Sequence, residues 1–281
     1  MIEGKPSRTA MSVAYLRALH RERDDPPWVL DDPFARLFVR EFWDRVVAQS
    51  DVLYTPAMQA AARAFIAARQ RYVEERLEAG AFAQYVILGA GYDSFVWRRP
   101  DLVRRFRVFE VDHPASQAFK RARAGAIGLP RCEDVSYVAI DFEKETLISA
   151  LERSGFDWTA PTFFGWLGVT MYLTTEATEA TLRTVAACAK GSEIGFSWCP
   201  DPAGLSAFDR ETRAVFAKMA ASFGEPADTT YTEETLKALV ARGDLRLLDL
   251  PAPADIGRRY FADRKDGLSP YGLERVAVAG V

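Results

Sequence analysis

YVILGAGYDSFVWR, running from Tyr85 to Arg98, begins as an apolar run of strand length, breaks at Gly89-Ala90-Gly91 and continues into a helix-like segment. Further on, VFEVDHP, Val108 to Pro114, repeats the apolar run and stops at Glu110 and Asp112. Two adjacent parallel strands that end this way form a crevice where backbone can approach a nucleoside while an acid meets its ribose hydroxyls.

A Gly-x-Gly pair by itself also marks an ordinary tight turn. Asp112, 21 positions after Gly91, supplies the other half of a nucleoside site, with Glu110 close enough to compete for the role. The fingerprint of nicotinamide and flavin proteins has a third glycine where the helix packs on the strand, and Ser94 stands there instead. That departure favours a nucleoside cofactor with no pyrophosphate to cradle, of which S-adenosylmethionine is the obvious example.

Around these two stretches, strands are expected at Tyr85–Leu88, Val108–Val111, Val135–Ile140, Thr162–Trp166 and Glu193–Trp198. Helices are expected at Pro114–Ile127, Glu145–Ser154 and Thr174–Ala187, the last capped by Thr174. This alternation predicts an α/β fold with a mostly parallel sheet covered on both faces. Two short strands close the chain, Leu245–Leu250 and Leu273–Val281, joined without a long helix, which predicts an antiparallel strand inserted in the sheet.

Three helical segments precede the first strand and read as additions to the core. One runs from Ser7 to Arg23, capped by Ser7 or Thr9. A second opens at Asp32-Pro33 and continues through Phe34, Leu37, Phe38, Phe42, Val46 and Val47. The third, Met58 to Leu77, carries Arg69 in the middle of an apolar stripe. A guanidinium there must be paired, with a structural carboxylate or with a ligand carboxylate held by two parallel hydrogen bonds. After the fifth strand, Leu205–Phe223 reads as a helix at the carboxyl end of the sheet, either a substrate lid or a packing element. Thr232 caps a further helix that Gly243 stops. The whole is read as one domain: a helical cap over 1–80, a cofactor-binding core over 84–198, a lid insertion over 199–231 and the remaining core over 232–281.

Composition excludes several classes. The net charge of -3, from 36 basic and 39 acidic residues, gives no global pull toward nucleic acid or an anionic membrane, so partners are expected to be small molecules. Cys132, Cys188 and Cys199 form no CxxC pair and read as free thiols of a reducing compartment. No run of 18 apolar residues and no apolar signal core occurs, so a soluble cytoplasmic protein is expected. His20 and His113 have no partners at ligand spacing, which sets metal sites aside. No G-x-S-x-G elbow is present. Most of the six tryptophans read as core, with some available to line an acceptor pocket.

Taken together, SRTA (Ser7 to Ala10), DP-x-A (Asp32 to Ala35), R-x-x-x-x-E (Arg69 to Glu74), VILGAGYDS (Val86 to Ser94), FEVDHP (Phe109 to Pro114), DFE (Asp141 to Glu143), GFD (Gly155 to Asp157) and WLGVTMYL (Trp166 to Leu173) resemble the leucine carboxyl methyltransferase-like family of S-adenosylmethionine-dependent methyltransferases, in its bacterial branch. The resemblance implies a Rossmann-like class I methyltransferase fold, with a seven-stranded sheet whose last strand is antiparallel. It implies that Gly89, Ala90 and Gly91 form the turn over the cofactor, that Asp112 holds the ribose, and that Asp141 with Phe142 reads the adenine. Arg69 resembles the arginine that clamps the methionine carboxylate, and Arg8 a basic residue near cofactor or substrate. Tyr172 falls on the loop facing the reacting methyl and is the expected catalytic residue. Leu167 stands where many members carry a glutamate that meets the cofactor's amino group.

Methyl transfer from a sulfonium is an in-line displacement, so the protein has mainly to align the reactants and exclude water. An ionised carboxylate needs no general base, and the scarcity of histidine favours such an acceptor, with a phenol remaining open. The expected activity is O-methylation of a small molecule such as a secondary metabolite, without metal, by a monomer or homodimer. A nicotinamide-dependent oxidoreductase would share Asp112 but lacks the third glycine and a Tyr-x-x-x-Lys pair. A non-catalytic cofactor-binding protein would keep the crevice and lose the acceptor pocket.

Overall fold

The computed structural model describes residues 7–141 and 144–281. Four helices come first: α1 Arg8–Arg23, α2 Ala35–Val39, α3 Trp43–Leu53 and α4 Pro56–Ala79. Then follow β1 Gln84–Leu88, α5 Phe95–Arg98, α6 Pro100–Val103, β2 Arg107–Asp112, α7 Pro114–Ala126, β3 Val135–Ala139, α8 Leu147–Glu152, β4 Thr162–Trp166, α9 Thr175–Ala186 and β5 Glu193–Trp198. The chain closes with α10 Ala207–Ser222, α11 Glu233–Arg242, β6 Arg246–Asp249, α12 Pro253–Phe261 and β7 Arg275–Gly280.

The seven strands form one sheet in the order β3-β2-β1-β4-β5-β7-β6. Strands β1 to β5 pair in parallel, and β7 runs antiparallel to both β5 and β6. This is the Rossmann-like methyltransferase arrangement expected from the sequence. The order reverses between β1 and β4, which puts a crevice beyond the carboxyl ends of β1, β2 and β4. β1 and β4 are buried along their whole length, as strands covered on both faces must be. One apolar layer places α4 and α5 against one face through Phe65, Tyr72, Val73, Tyr85, Phe95 and Phe163. The opposite layer joins Phe109, Phe164, Leu182, Phe196 and Leu239.

Local chemistry explains the helix starts. Ser7, Thr55, Thr146, Thr174, Ser206 and Thr232 each accept a backbone N–H of the first turn through the side chain, a bond worth about 1 kcal/mol. Three sequence expectations need correction. The helix expected from Asp32-Pro33 through Val47 is broken by a 3₁₀ turn at Arg40–Phe42. Val39 and Phe42 there leave helical geometry with ψ near zero, and Phe38 and Phe42 turn toward Tyr92 and Phe119. The helix expected from Glu145 to Ser154 shrinks to α8 because Thr146 caps it and Glu145 pairs instead with Arg153. The connection before the last strand contains the nine-residue α12, with Pro253 in its first turn. Among the described residues no helix is long and apolar enough to cross a membrane.

Candidate cofactor and acceptor site

At the tip of β1, Gly89 and Gly91 have φ of +68° and +45°, a region that residues with a side chain enter only at a cost. Space is short as well: a β-carbon on Gly89 would lie 2.5 Å from Val169 Cγ2, and one on Gly91 3.1 Å from Ala10 Cβ. The turn therefore touches both the loop after β4 and helix α1. Gly89 stays exposed at the mouth while Ala90 is buried beneath it.

Asp112 ends β2. Its Oδ2 accepts the Gly91 N–H at 2.5 Å and its Oδ1 the His113 N–H at 2.6 Å. Burial pushes this carboxyl above its ordinary pKa, against the lowering effect of those two bonds. Among the described residues no cation pairs with it. Each oxygen keeps a lone pair for a further donor, which suits the two hydroxyls of a ribose. Glu110 does not compete. Its side chain is buried against Lys120 Nζ, 2.8 Å from both oxygens, and Gln117 bonds its carbonyl.

Asp141 follows β3 and accepts from Lys144 Nζ at 2.7 Å. Phe142, its expected companion, lies outside the described residues. Leu167, after β4, packs partly buried against the apolar layer containing β1. The next residue, Gly168, has φ of +71°, and a β-carbon there would come 2.9 Å from Arg69 Nη2. Arg69 is buried on α4 as its place in the apolar stripe requires, and Nη1 donates to Glu274 Oε1.

Arg69 and Gly168 also border a cavity of about 110 Å³. Its apolar walls come from α1 (Met11, Tyr15), α3 (Leu53), α4 (Ile66) and α10 (Phe216, Met219). No tryptophan lines it, and the ones the sequence offered for that role lie elsewhere. Arg8, Thr9 and Tyr172 give it a polar end. Arg8 lays its guanidinium over the Phe223 ring, 3.8 Å from the centroid, on the α10 side rather than beside Asp112. Burial pushes the Tyr172 phenol well above its ordinary pKa, so the hydroxyl keeps its proton at neutral pH.

The crevice thus gathers Gly89, Ala90, Gly91, Asp112, Asp141 and Leu167 at the tips of β1 to β4. The cavity gathers Arg8, Arg69 and Tyr172, with Gly168 joining the two. Neither histidine belongs to either. His113 caps α7 by accepting the Ala115 N–H. His20 Nε2 accepts the Val29 N–H, which leaves Nδ1 to donate to Asp24.

Sequence reasoning missed two clusters. Behind the glycine turn, Asp32 Oδ2 accepts from Arg17 Nε at 2.8 Å and from Ser94 Oγ at 2.7 Å, while Oδ1 accepts the Phe34 and Ala35 N–H groups. Arg17 also reaches the Tyr92 carbonyl. Arg98 donates to Glu74 and to Ser94 Oγ, and Gln70 joins Glu74 to Asp93. Asp32, Glu74, Asp93 and Ser94 therefore hold the turn in place from behind. The second cluster is centred on Glu225, in the loop after α10. Its carboxylate accepts from Ser7 Oγ, the Arg8 and Thr9 N–H groups and Thr9 Oγ.

The chain is similar to known proteins in sequence and in fold. The family model described as leucine carboxyl methyltransferase matches residues 10–186. A Bacillus subtilis (strain 168) protein named "Putative S-adenosyl-L-methionine-dependent methyltransferase YktD" is 30% identical, over 96% of either chain. A Mycobacterium sp. (strain JLS) protein of the same general name is 34% identical, over 75% of this chain and 72% of its own. The crystal structure of a DUF574 family protein from Streptomyces avermitilis superposes with a TM-score of 0.63 at 17% identity, covering 98% of this chain and 97% of that one.

Proposed function

Because the chain belongs to the leucine carboxyl methyltransferase family of S-adenosylmethionine-dependent methyltransferases, we propose that it methylates a carboxylate oxygen of a small apolar acceptor held in the cavity under α10. The donor set fits the cofactor. Asp112 would take the ribose hydroxyls, Arg69 the carboxylate of the methionine end, and the Gly89-Ala90-Gly91 backbone the close approach, with Asp141 and Leu167 flanking. When bound, S-adenosylmethionine supplies a methyl group on a positively charged sulfur.

The observation that carries the choice of acceptor is the composition of the cavity wall, in which no histidine stands and the one acid, Glu274, is paired with Arg69. Burial raises the pKa of Tyr15, Tyr54, Tyr172 and Tyr271, and pushes the Cys199 thiol to about 12. Among the described residues the wall offers no free base, which suits a nucleophile that arrives ionised. The acceptor oxygen's lone pair forms the new O–C bond as the C–S bond breaks with its electrons going to sulfur, and no proton moves. The chain's own contribution is orientation and exclusion of water, through the apolar walls and the Tyr172 and Thr9 hydroxyls. Free cysteines support a cytoplasmic setting, and the apolar cavity supports a secondary metabolite as acceptor.

The test is incubation of the protein with methyl-labelled cofactor and a metabolite extract, followed by mild alkali. A methyl ester releases its label as volatile methanol. Label retained through alkali, as an ether or amine retains it, overturns the carboxylate reading.

A further inference from the structure

The Arg69–Glu274 pair is buried on both sides yet only partly hydrogen-bonded. Arg69 Nη1 donates to Glu274 Oε1. Among the described residues Arg69 has no second acceptor and Glu274 no second donor. A buried ion pair with unmatched N–H groups and lone pairs repays little of its desolvation cost, so packing alone is a poor reason for it. Both residues border the cavity, and the guanidinium lies against Gly168, just past the tip of β4. Glu274 reaches the same rim because β7 is antiparallel: its first residue, Arg275, pairs with Trp198 at the end of β5.

We propose that Glu274 and Arg69 form a dock for a zwitterion, Arg69 receiving the carboxylate and Glu274 the ammonium of the cofactor's amino-acid end. The unused capacity of each partner has the sign that one amino-acid headgroup would fill. Glu274 thereby supplies, from the residue just before β7, the negative charge that Leu167 does not supply after β4. This assignment rests on the cofactor reading above.

Calorimetric titration of the full chain tests it with four ligands: S-adenosylhomocysteine, its deamino analogue, its decarboxylated analogue and 5′-methylthioadenosine. Glu274→Gln is expected to weaken S-adenosylhomocysteine and the decarboxylated analogue about tenfold or more, since a charge-assisted bond is removed. The deamino analogue and methylthioadenosine, which lack the ammonium, are expected to bind unchanged. Loss shared by S-adenosylhomocysteine and the deamino analogue, the two ligands that keep the carboxylate, with the decarboxylated analogue unchanged, would mean that Glu274 only positions Arg69, and the proposal is overturned. Equal affinity of wild type and variant for all four overturns it too. If Glu274→Gln does not fold, Glu274→Asp carries the same comparison, with a smaller loss expected on the same two ligands. Failure of the wild type to bind any of the four removes the cofactor reading itself.

Discussion

Glu225 caps helix α1 from a distance of more than two hundred residues, accepting both the backbone N–H and the hydroxyl of Thr9. A carboxylate at a helix N-terminus meets the positive end of the dipole as well as unsatisfied N–H groups. Thr9 and Tyr172 both line the cavity, so the loop after α10 anchors the start of α1 at the cavity's polar end. Glu225→Ala is expected to cost about 2 kcal/mol of stability, read by urea unfolding, and to raise the acceptor KM more than it weakens cofactor binding. Unchanged stability would show that the four bonds contribute nothing net.

Asp112→Ala and Arg69→Ala are each expected to weaken S-adenosylhomocysteine about tenfold or more, as each removes a charged hydrogen bond. Asp112 adds a pH signature. Ribose hydroxyls donate to its ionised form, and burial raises its pKa. Protonation therefore begins at higher pH than for an ordinary aspartate, and wild-type affinity falls correspondingly early on acidification. Asp112→Asn should lack that fall; calorimetry over a pH series decides.

For Gly89→Ala the expected penalty has two parts. The left-handed φ of +68° costs an L-residue about 1 kcal/mol, and the new methyl meets Val169 at 2.5 Å. Adding Val169→Ala should recover the steric part and leave the backbone part. Thermal melts of the single and double variants measure both, and equal melting temperatures for the two would exclude the clash.

Phe216→Ala opens the α10 wall of the cavity without touching the crevice. The acceptor KM should rise about fivefold to a hundredfold, for about 1 to 3 kcal/mol of lost apolar contact, while cofactor affinity holds. Equal loss of both would show that α10 packs against the core without facing the acceptor.

Asp32→Asn leaves Arg17 and Arg98 without their shared carboxylate. Breaking a buried pair this way costs about 3 to 5 kcal/mol. Burial opposes ionisation of Asp32, yet Arg17 and Arg98 hold its carboxyl below the ordinary range. Its contribution is therefore complete above the unfolded pKa and is lost as pH falls through the lower folded value. Denaturation at neutral and acid pH should show the variant's deficit shrinking in acid.

The legible parts were those carried by local pattern. Strand tips, the Gly89–Gly91 turn and the Thr174 and Thr232 caps all depend on residues near each other in the chain. Arg69 was legible halfway: its apolar stripe required a partner, but nothing near it in sequence identified Glu274, 205 positions on. Glu110 and Asp112 were indistinguishable because residues two apart on a strand share a face, and Lys120 separates them only once α7 folds back. The Asp32 cluster and Glu225 escaped for the same reason. Their partners come from other segments, and an acid in a loop has no periodicity to betray its role.

Strand β7 lies between β5 and β6 rather than at the sheet's edge. Until it is in place β6 has no neighbour to pair with, and Arg69 has no counter-ion. Strand β7 must therefore dock on β5 before β6 can join the layer. Assembly of the ligand-ready protein is thus a closing event governed by residues 274–280, and refolding chains should acquire nucleoside binding in step with hydrogen-exchange protection of the β7 amides.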